Sequence, residues 1–472
     1  MSKTELSLRS YLDMLMKRNE LARIEKEVDA KYEMAAILKK TKGRQPILFE
    51  NVKGHRIPAV GGLCGNRSHI ANLLGTSERG IAIEYIKAMG NPIPVTSSMA
   101  APCQENKITS NIDLEKIFPI ITSHEKDAGA FITSGVFISR QIKTNKIHTS
   151  VRRLQFQGGN KISVLIESPG LTEQYTELEE QDKELDFAIL IGVHPVITLA
   201  SQINSQIYNM DKLEVAGALA GVPVEVVKGI SVDLPIPAYT EIVLEGRIHP
   251  YKRLEEGPYG ELLGYYGGGS PQPYGEISAV TYRNNPICHV VCPGTYEHSL
   301  PNALMREMSL YLTLRQIVPG VKDVYVSPVA GGRMHAAVSI SKQKEGEGKS
   351  AIIAAFASNK DFKQVTVVDA DVDIFKPEEL EWAVATRVQA DKDIIIIPGA
   401  LGCGLDPSNV LNGTTAKMGI DATYPPEYSE MFGRIKIPDY ENIDPLSYIV
   451  NKDSVCRETF AWEEPEFKEG TD

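Results

Sequence analysis

The run Glu256-Gly257-Pro258-Tyr259-Gly260-Glu261 places two carboxylates five residues apart around a Gly-Pro-x-Gly core. Proline fixes one backbone torsion, and glycine permits tight or left-handed geometry. A loop of this kind can hold both acids rigidly while aiming them in different directions. That suits a division of labour, with one acid paired and ionised and the other free to move a proton. In isolation such a run reads as an acidic surface turn. Two neighbours favour chemistry instead. A glycine- and tyrosine-rich segment, Gly264-Tyr265-Tyr266-Gly267-Gly268-Gly269, follows at once. About a hundred residues upstream, Arg152-Arg153-Leu154-Gln155 can supply the charge partner. A second acidic run, Asp369, Asp371 and Asp373, would put three carboxylates on one side of a strand end. It lacks the following glycine and distal glutamate of a calcium loop, so a solvated strand-to-helix connection is the expectation.

The chain that must position these groups has 472 residues, enough for two or three domains with sizeable cores. Its formal net charge is -11, with no basic tail or Lys/Arg block. That argues against nucleic acid and against an anionic membrane surface as partners. A local arginine cluster can still hold a small anion. The first residues lead into an amphipathic helix, with Leu8, Leu12, Leu15 and Met16 at helical spacing, and not into a secretion signal. No apolar run is long enough to span a bilayer. The six cysteines are scattered without a CxxC pair, and Cys288 and Cys292 are poorly spaced for zinc. Reduced, buried thiols in a cytoplasmic enzyme are the expectation.

The first hundred or so residues alternate helix-like pieces (Tyr32 to Lys40, Ile81 to Met89) with a strand-like one (Pro46 to Phe49). Pro92, Pro94 and Pro102 then mark a boundary, giving an N-terminal α/β domain over 1–105. Over 106–299, short β-rich runs recur between turns: Gly135 to Ile138, Ile162 to Ile166, Phe187 to Val193, Pro195 to Ala200, Val224 to Val227 and Glu241 to Leu244. They predict a barrel-like β domain, with a helix over Met210 to Ala218. Leu300 to Val318 predicts a connector helix within 300–320. The remainder, 321–472, returns to α/β. It carries a strand over Gln364 to Val368, a helix opening at Pro377-Glu378-Glu379, and a central strand over Ile394 to Ile397. The polar tail after Pro425 is expected to wrap onto a partner subunit. The fold class is α+β.

Taken in order, five motifs resemble one family. They are Arg153-Leu154-Gln155, the double-acid loop, Val368-Asp369-Ala370-Asp371-Val372-Asp373, Trp382-Ala383-Val384-Ala385-Thr386-Arg387 and Lys417-Met418-Gly419-Ile420-Asp421-Ala422-Thr423. The pattern is similar to that of the UbiD family, (de)carboxylases that use prenylated FMN, and the resemblance covers nearly the whole chain. It implies an N-terminal α/β domain, a central flavin-binding split β-barrel, a connector helix and a C-terminal α/β domain with a dimerising tail. It also implies roles. Arg153 matches the catalytic arginine and Glu256 the carboxylate paired with it, together holding the substrate carboxylate against the flavin. Glu261 matches the acid that protonates the covalent prenylated-FMN adduct after CO2 departs. His148, Ser150, Val151, Arg152, Ser201, Lys212 and Lys417 would bind the cofactor. His298, Arg306 and Arg333 look like the branch acting on heteroaromatic acids, especially furan-2,5-dicarboxylate. An arginine pair and a histidine can take that substrate's second carboxylate through charge-assisted hydrogen bonds. The plain alternative for Arg306 is a solvated ion pair with Glu307.

The family also implies Mn2+ and K+, with a divalent metal held against the flavin phosphate by asparagine, histidine and glutamate. Here His148 stands in the asparagine's place, no histidine falls near Gly170, and Lys212 stands near the glutamate's place, with Glu214 two residues on. The metal ligands are therefore left open. An ammonium from Lys212, aided by His148 or Arg152, could neutralise the phosphate directly. The implied function is non-oxidative decarboxylation, or the reverse carboxylation, of a small heteroaromatic or α,β-unsaturated acid. The implied setting is a homodimer or dimer-built assembly supplied by a flavin prenyltransferase. One alternative is a non-catalytic or complex-dependent homologue with an altered metal site. Another is a redox enzyme using plain FMN. Intact Arg153, Glu256 and Glu261 favour the decarboxylase.

Overall fold

The computed structural model describes residues 5–450 except 167, 205–207, 209 and 410–412. Two compact units emerge: Met1–Met308 with Ser327–Arg333 and Gly404–Val410, and Ser309–Val326 with Met334–Cys403 and Leu411–Asp472.

In the first unit the amphipathic start forms α1 (Leu8–Lys17), which Ser7 opens with a capping box to Ser10. Leu8, Tyr11, Leu12 and Leu15 are buried, whereas Met16, expected on the same stripe, is 48% exposed. The buried face centres on Leu8, Leu12 and Leu15, and Met16 falls one residue round from it. Three short strands follow, β1 (Ala22–Ile24), β2 (Ile47–Phe49) and β3 (Ala59–Gly61), with α2 (Glu33–Lys40) between the first two. Met34 and Leu38 of α2 share one apolar core with Ile47 and Phe49. Two further helices, α3 (Arg67–Leu74) and α4 (Ile81–Gly90), complete this part.

The β-rich middle closes into a barrel. Its strands are β4 (Phe131–Arg140), β5 (Ile147–Phe156), β6 (Lys161–Val164), β7 (Leu185–Ile191), β8 (Ile242–Glu256) and β9 (Ser270–Tyr282). They lie in the order β8-β7-β4-β5-β6-β9, all antiparallel, and β9 pairs back onto β8. Phe137, Leu154, Phe187, Ile189, Leu244 and Ile277 fill the interior, with the Phe137 and Phe187 rings stacked 5.4 Å apart. The next strand, β10 (Cys288–His289), pairs in parallel with β3, so a segment beyond the barrel completes the N-terminal sheet.

Helices α5 (Pro169–Glu180), α6 (Pro195–Ser201) and α7 (Lys212–Ala220) lie between β6 and β8 in the chain. The run Pro195 to Ala200, expected as a strand, is α6. Proline at its first position and His194 as N-cap, whose Nδ1 accepts the Val196 N–H at 3.3 Å, start a helix there. Burial of nearly every residue removed the periodicity that separates buried helix from buried strand. The connector is α8 (Tyr296–Ile317), which runs from the first unit into the second.

The second unit holds β11 (Val321–Val326), β12 (His335–Ile340), β13 (Gln364–Asp369), β14 (Ile394–Leu401) and β15 (Thr414–Ala422), in the order β11-β12-β13-β15-β14. It also holds α9 (Glu347–Ser358) and α10 (Pro377–Arg387). Ile394 to Ile397 is therefore an edge strand, not the central one expected, and Ile396 is 58% exposed. A β-branched run fixes that a strand forms, not its place in the sheet. The aspartate run is not a solvated connection either. Arg387 donates to Asp369 at 3.1 Å and to Asp371 at 3.0 and 2.5 Å, and Asp369 is 4% exposed. Two sequence motifs thus meet as one buried structural pair. Burial raises the Asp369 carboxyl to about 6.

Cys64, Cys103, Cys288, Cys292 and Cys403 are free and buried; Cys456 lies outside the described residues. Residues 451–472 of the expected dimerising tail also lie outside them. No helix among the described residues is long and apolar enough to cross a membrane.

Candidate active site

Arg153 stands on β5 opposite a bulge. Ile132 pairs with Leu154 and Gly135 with Arg152, so two residues, Thr133 and Ser134, stand opposite Arg153 alone. A bulge bends its strand and re-aims neighbouring side chains. The Arg153 Nε and Nη2 donate to the two oxygens of Glu256 at 2.8 and 3.0 Å, while Nη1 donates to Glu261. The Tyr259 ring faces the same guanidinium at 4.6 Å. Side-chain exposure is 13% for Arg153, 1% for Glu256 and 11% for Glu261. Burial opposes the arginine's charge, but its hydrogen bonds to Glu256 and the charges of both glutamates outweigh that and hold its pKa above the ordinary value.

The loop that carries the acids is pinned on both sides. Gly257 adopts a φ of 85°, which glycine alone takes without strain. Its N–H donates to Gln155 Oε1 at 2.8 Å, and the Gly260 N–H donates to Asp127 Oδ1 at 2.8 Å. Arg153 and Gln155 are two apart on one strand, so both point to one face. The Arg-Leu-Gln spacing therefore supplies the charge partner and the loop anchor together. Tyr259–Gly260 then pairs with Tyr266–Gly267. A Cβ on Gly267 would lie 2.9 Å from Glu261 Oε1, so this glycine makes room for the carboxyl group. One expectation is corrected: the second acid, Glu261, is not free of a charge partner in the resting site. One guanidinium serves both, with Glu256 held twice and Glu261 once.

The cleft beside them has room for about 210 Å³. Arg153, Tyr259, Glu261, His298, Asn302 and Arg333 line part of it. His298, Asn302 and Arg306 follow at helical spacing along α8. The Asn302 Oδ1 accepts from Arg306 Nη1 and from Arg333 Nη2, both at 3.3 Å. Arg306 is buried and is not the solvated partner of Glu307. Glu307 pairs instead with Arg67 at 2.9 and 2.6 Å. Burial first, then Arg333, Arg153 and Lys39, push the His298 pKa down to about 4, so the ring is neutral near pH 7.

On the other face of β5, His148, Ser150 and Arg152 form a chain. His148 Nε2 and Arg152 Nε each lie 3.1 Å from Ser150 Oγ, and Arg152 Nη2 donates to Ser168 ahead of α5. Lys212 begins α7, and its Nζ donates to the carbonyls of Thr149 at 2.6 Å and Ser201 at 3.1 Å. Burial and then Arg152 push its pKa down to about 7, and burial, Lys212 and Arg152 push His148 down to about 3. The Ser201 hydroxyl donates to Ile197 O at 2.6 Å, so this residue meets Lys212 through its carbonyl. Val151 lines the cleft. Lys417 lies in the second unit, on β15, where its ammonium donates to the carbonyls of Lys360 and Phe362 at 2.9 and 2.7 Å.

The sequence pattern of the 3-octaprenyl-4-hydroxybenzoate carboxy-lyase family matches in three consecutive parts. Its N-terminal domain matches residues 12–89, its Rift-related domain 95–296 and its C-terminal domain 300–422. The chain belongs to the UbiD family. It is 35% identical to the anhydromevalonate phosphate decarboxylase of Methanothermobacter thermautotrophicus, over 91% of this chain and 99% of that one. The UbiD-class enzyme HmfF from Pelotomaculum thermopropionicum, solved in complex with FMN, is 42% identical, covers 94% of this chain and 100% of its own, and superposes with a TM-score of 0.92. An evolved dimeric form of HmfF, solved with prFMN, is 40% identical over 94% of this chain and 100% of its own, with a TM-score of 0.88. This UbiD chain is a carboxy-lyase.

At the barrel, His148, Ser150, Arg152 and Lys212 bring basic and hydroxyl groups and no carboxylate, a set suited to a phosphate rather than to a divalent cation. Among the described residues, no group of three or more His, Cys, Asp or Glu side chains is arranged to hold a metal ion. A protonated Lys212 offers three donors and no lone pair, so it cannot ligate a metal ion. The His148 Nδ1, by contrast, is buried and has no hydrogen-bond partner among the described residues, as a group awaiting a polar ligand would be. Sequence reasoning missed several residues of this UbiD site. Asn302 was legible, since it lies midway between His298 and Arg306 at i,i+4 spacing. Asp127 and the pair His289–Glu297, 3.0 Å apart on the cleft wall, were not. Glu297 accepts the N–H groups of Gly62 and Leu63 at 2.5 and 2.7 Å, a contact across more than two hundred residues that leaves no local signal.

Proposed function

We propose that this UbiD enzyme decarboxylates, without net oxidation, a small heteroaromatic or α,β-unsaturated acid bearing a second anionic group, and that furan-2,5-dicarboxylate suits it. The observation that carries this reading is one buried guanidinium shared by Glu256 and Glu261 beside a cleft lined by His298, Asn302 and Arg333. Relatives solved with FMN and prFMN support prenylated FMN as the cofactor. When bound, that flavin supplies an electrophilic carbon able to take up the electron pair left as CO2 departs.

The chain's own residues do the rest. The substrate carboxylate takes the Arg153 Nη1 donor that Glu261 holds in the resting site. Glu256 keeps Nε and Nη2, so the guanidinium plane stays fixed while one partner is exchanged. Glu261, displaced from Nη1 and now beside the substrate's charge, gains proton affinity and takes up a proton from water. It becomes the acid that delivers a proton to the carbon freed of CO2. One arginine thus links substrate binding to readiness of the proton donor. Arg333, the neutral His298 and Asn302 with Arg306 behind it take the second anion.

Support for a second reading comes from the 35% identical anhydromevalonate phosphate decarboxylase. The same cationic end would take a phosphate in place of a carboxylate. The exposed Met431, Ile435 and Ile437 after Pro425 support a dimer-built assembly. The test is CO2 release by protein co-produced with a flavin prenyltransferase, screened against furan, pyrrole, phenolic, cinnamic and phosphorylated unsaturated acids. Turnover confined to dianionic acids and lost in Arg153→Ala is the expected result. Flavin-loaded protein that turns over none of them, or that keeps its rate in Arg153→Ala, refutes the reading.

A further inference from the structure

Lys212 is a buried amine for which the described residues supply no counter-charge. The residue is 4% exposed and forms no ion pair among the described residues. An ammonium has three donors. Two go to the Thr149 and Ser201 carbonyls, and the third is uncommitted among the described residues. One residue before Thr149, His148 is also 4% exposed, and its Nδ1 has no partner among the described residues. Arg152, which joins His148 through Ser150, adds a second positive charge to the cluster. Burying an ammonium beside another cation is costly unless an anion completes the site. Two main-chain carbonyls gathered round a positive centre resemble the surroundings of a bound cation, with the charge brought here on a covalent tether.

We propose that Lys212 is a tethered cation that receives the phosphate of the flavin, so that this enzyme loads its cofactor without a divalent metal. The inference rests on the flavin reading above. A lysine ammonium is a compact point charge suited to phosphate. His148, Ser150 and Arg152 supply further donors around it.

The test is a titration of flavin-free protein with FMN and with riboflavin, after exhaustive chelation and again with added Mn2+, together with metal analysis of the purified holoenzyme. Expected are equal FMN affinities with and without Mn2+, substoichiometric metal, and FMN bound at least about tenfold tighter than riboflavin. Lys212→Met should weaken FMN by about tenfold to a hundredfold, the worth of one charge-assisted hydrogen bond, and leave riboflavin unchanged. Lys212→Arg keeps the charge and should restore part of the preference. Stoichiometric bound manganese, FMN binding that requires Mn2+, or an unchanged FMN-to-riboflavin ratio in Lys212→Met overturns the inference. The metal arms use the unaltered chain, so they decide the matter even where a variant fails to fold. No binding of either flavin under any condition removes the flavin reading itself.

Discussion

Replacing Glu261 with glutamine removes one proton-carrying group and leaves nearly everything around it in place. The two side chains match in length, so the space that Gly267 leaves is still filled. Arg153 keeps both hydrogen bonds to Glu256 and loses one charge-assisted contact. Such a contact is worth about 1.5–3 kcal/mol, and a neutral amide oxygen restores about 1 kcal/mol of it. The net loss is then about 0.5–2 kcal/mol, within what single substitutions commonly cost. Loss of a positioned general acid is far larger for the reaction, about 10²- to 10⁴-fold in rate. That corresponds to about 3–5.5 kcal/mol in the barrier. The two effects separate in measurement. Melting temperature and FMN affinity should stay close to wild type, while kcat falls at least about a hundredfold. The resting contact adds a sharper expectation. A neutral glutamine competes less well than Glu261 for Arg153 Nη1, so KM should fall or hold while kcat collapses. The assay is steady-state CO2 release from enzyme of known flavin content, with solvent deuterium incorporation into product. A kcat within threefold of wild type, or a loss matched by lost flavin, would sink the proton-donor assignment.

Gly267→Ala puts a Cβ 2.9 Å from Glu261 Oε1, whereas nothing lies within 4 Å of a Cβ at Gly268. Turnover should fall about tenfold or more in the first, by displacing a catalytic acid, and stay unchanged in Gly268→Ala; equal activities would refute the close-approach role. Glu307→Gln breaks the buried pair with Arg67, whose partners are 0% and 9% exposed. The cost should be about 3 kcal/mol, seen as a melting temperature lower by about 5 °C; a shift under about 1 °C would count against it. His148, His194 and His298 have folded pKa values pushed down to about 3, 4 and 4 by burial, with charge contributions at His148 and His298. The unfolded chain protonates these rings near about 6.5. Between those limits the unfolded state binds more protons, so stability rises with pH and is lost as pH falls from about 6.5 towards 4. Melting curves across that window should show the slope, and His194→Asn, which keeps an N-cap acceptor, should flatten it; identical slopes would refute the histidine origin.

The sequence by itself determined whatever depends on short, regular spacing. Arg153 and Gln155 two apart on a strand, His298 and Arg306 eight apart on a helix, and two acids around a Gly-Pro-x-Gly turn all have local geometry that residue type dictates. Those motifs also sufficed to point to the UbiD family. The tertiary structure decided what depends on strand register and on burial. It gave both glutamates to one guanidinium, because β5 and the end of β8 meet across more than a hundred residues. It made α6 from an apolar run that reads equally as a strand, and it sent Ile394–Leu401 to a sheet edge. It matched Arg387 to Asp369 and Asp371 and placed Lys212 against two carbonyls with no ion-pair partner among the described residues. Local spacing encodes which way a side chain leaves its own backbone; which distant backbone it meets is settled only when the apolar faces have packed.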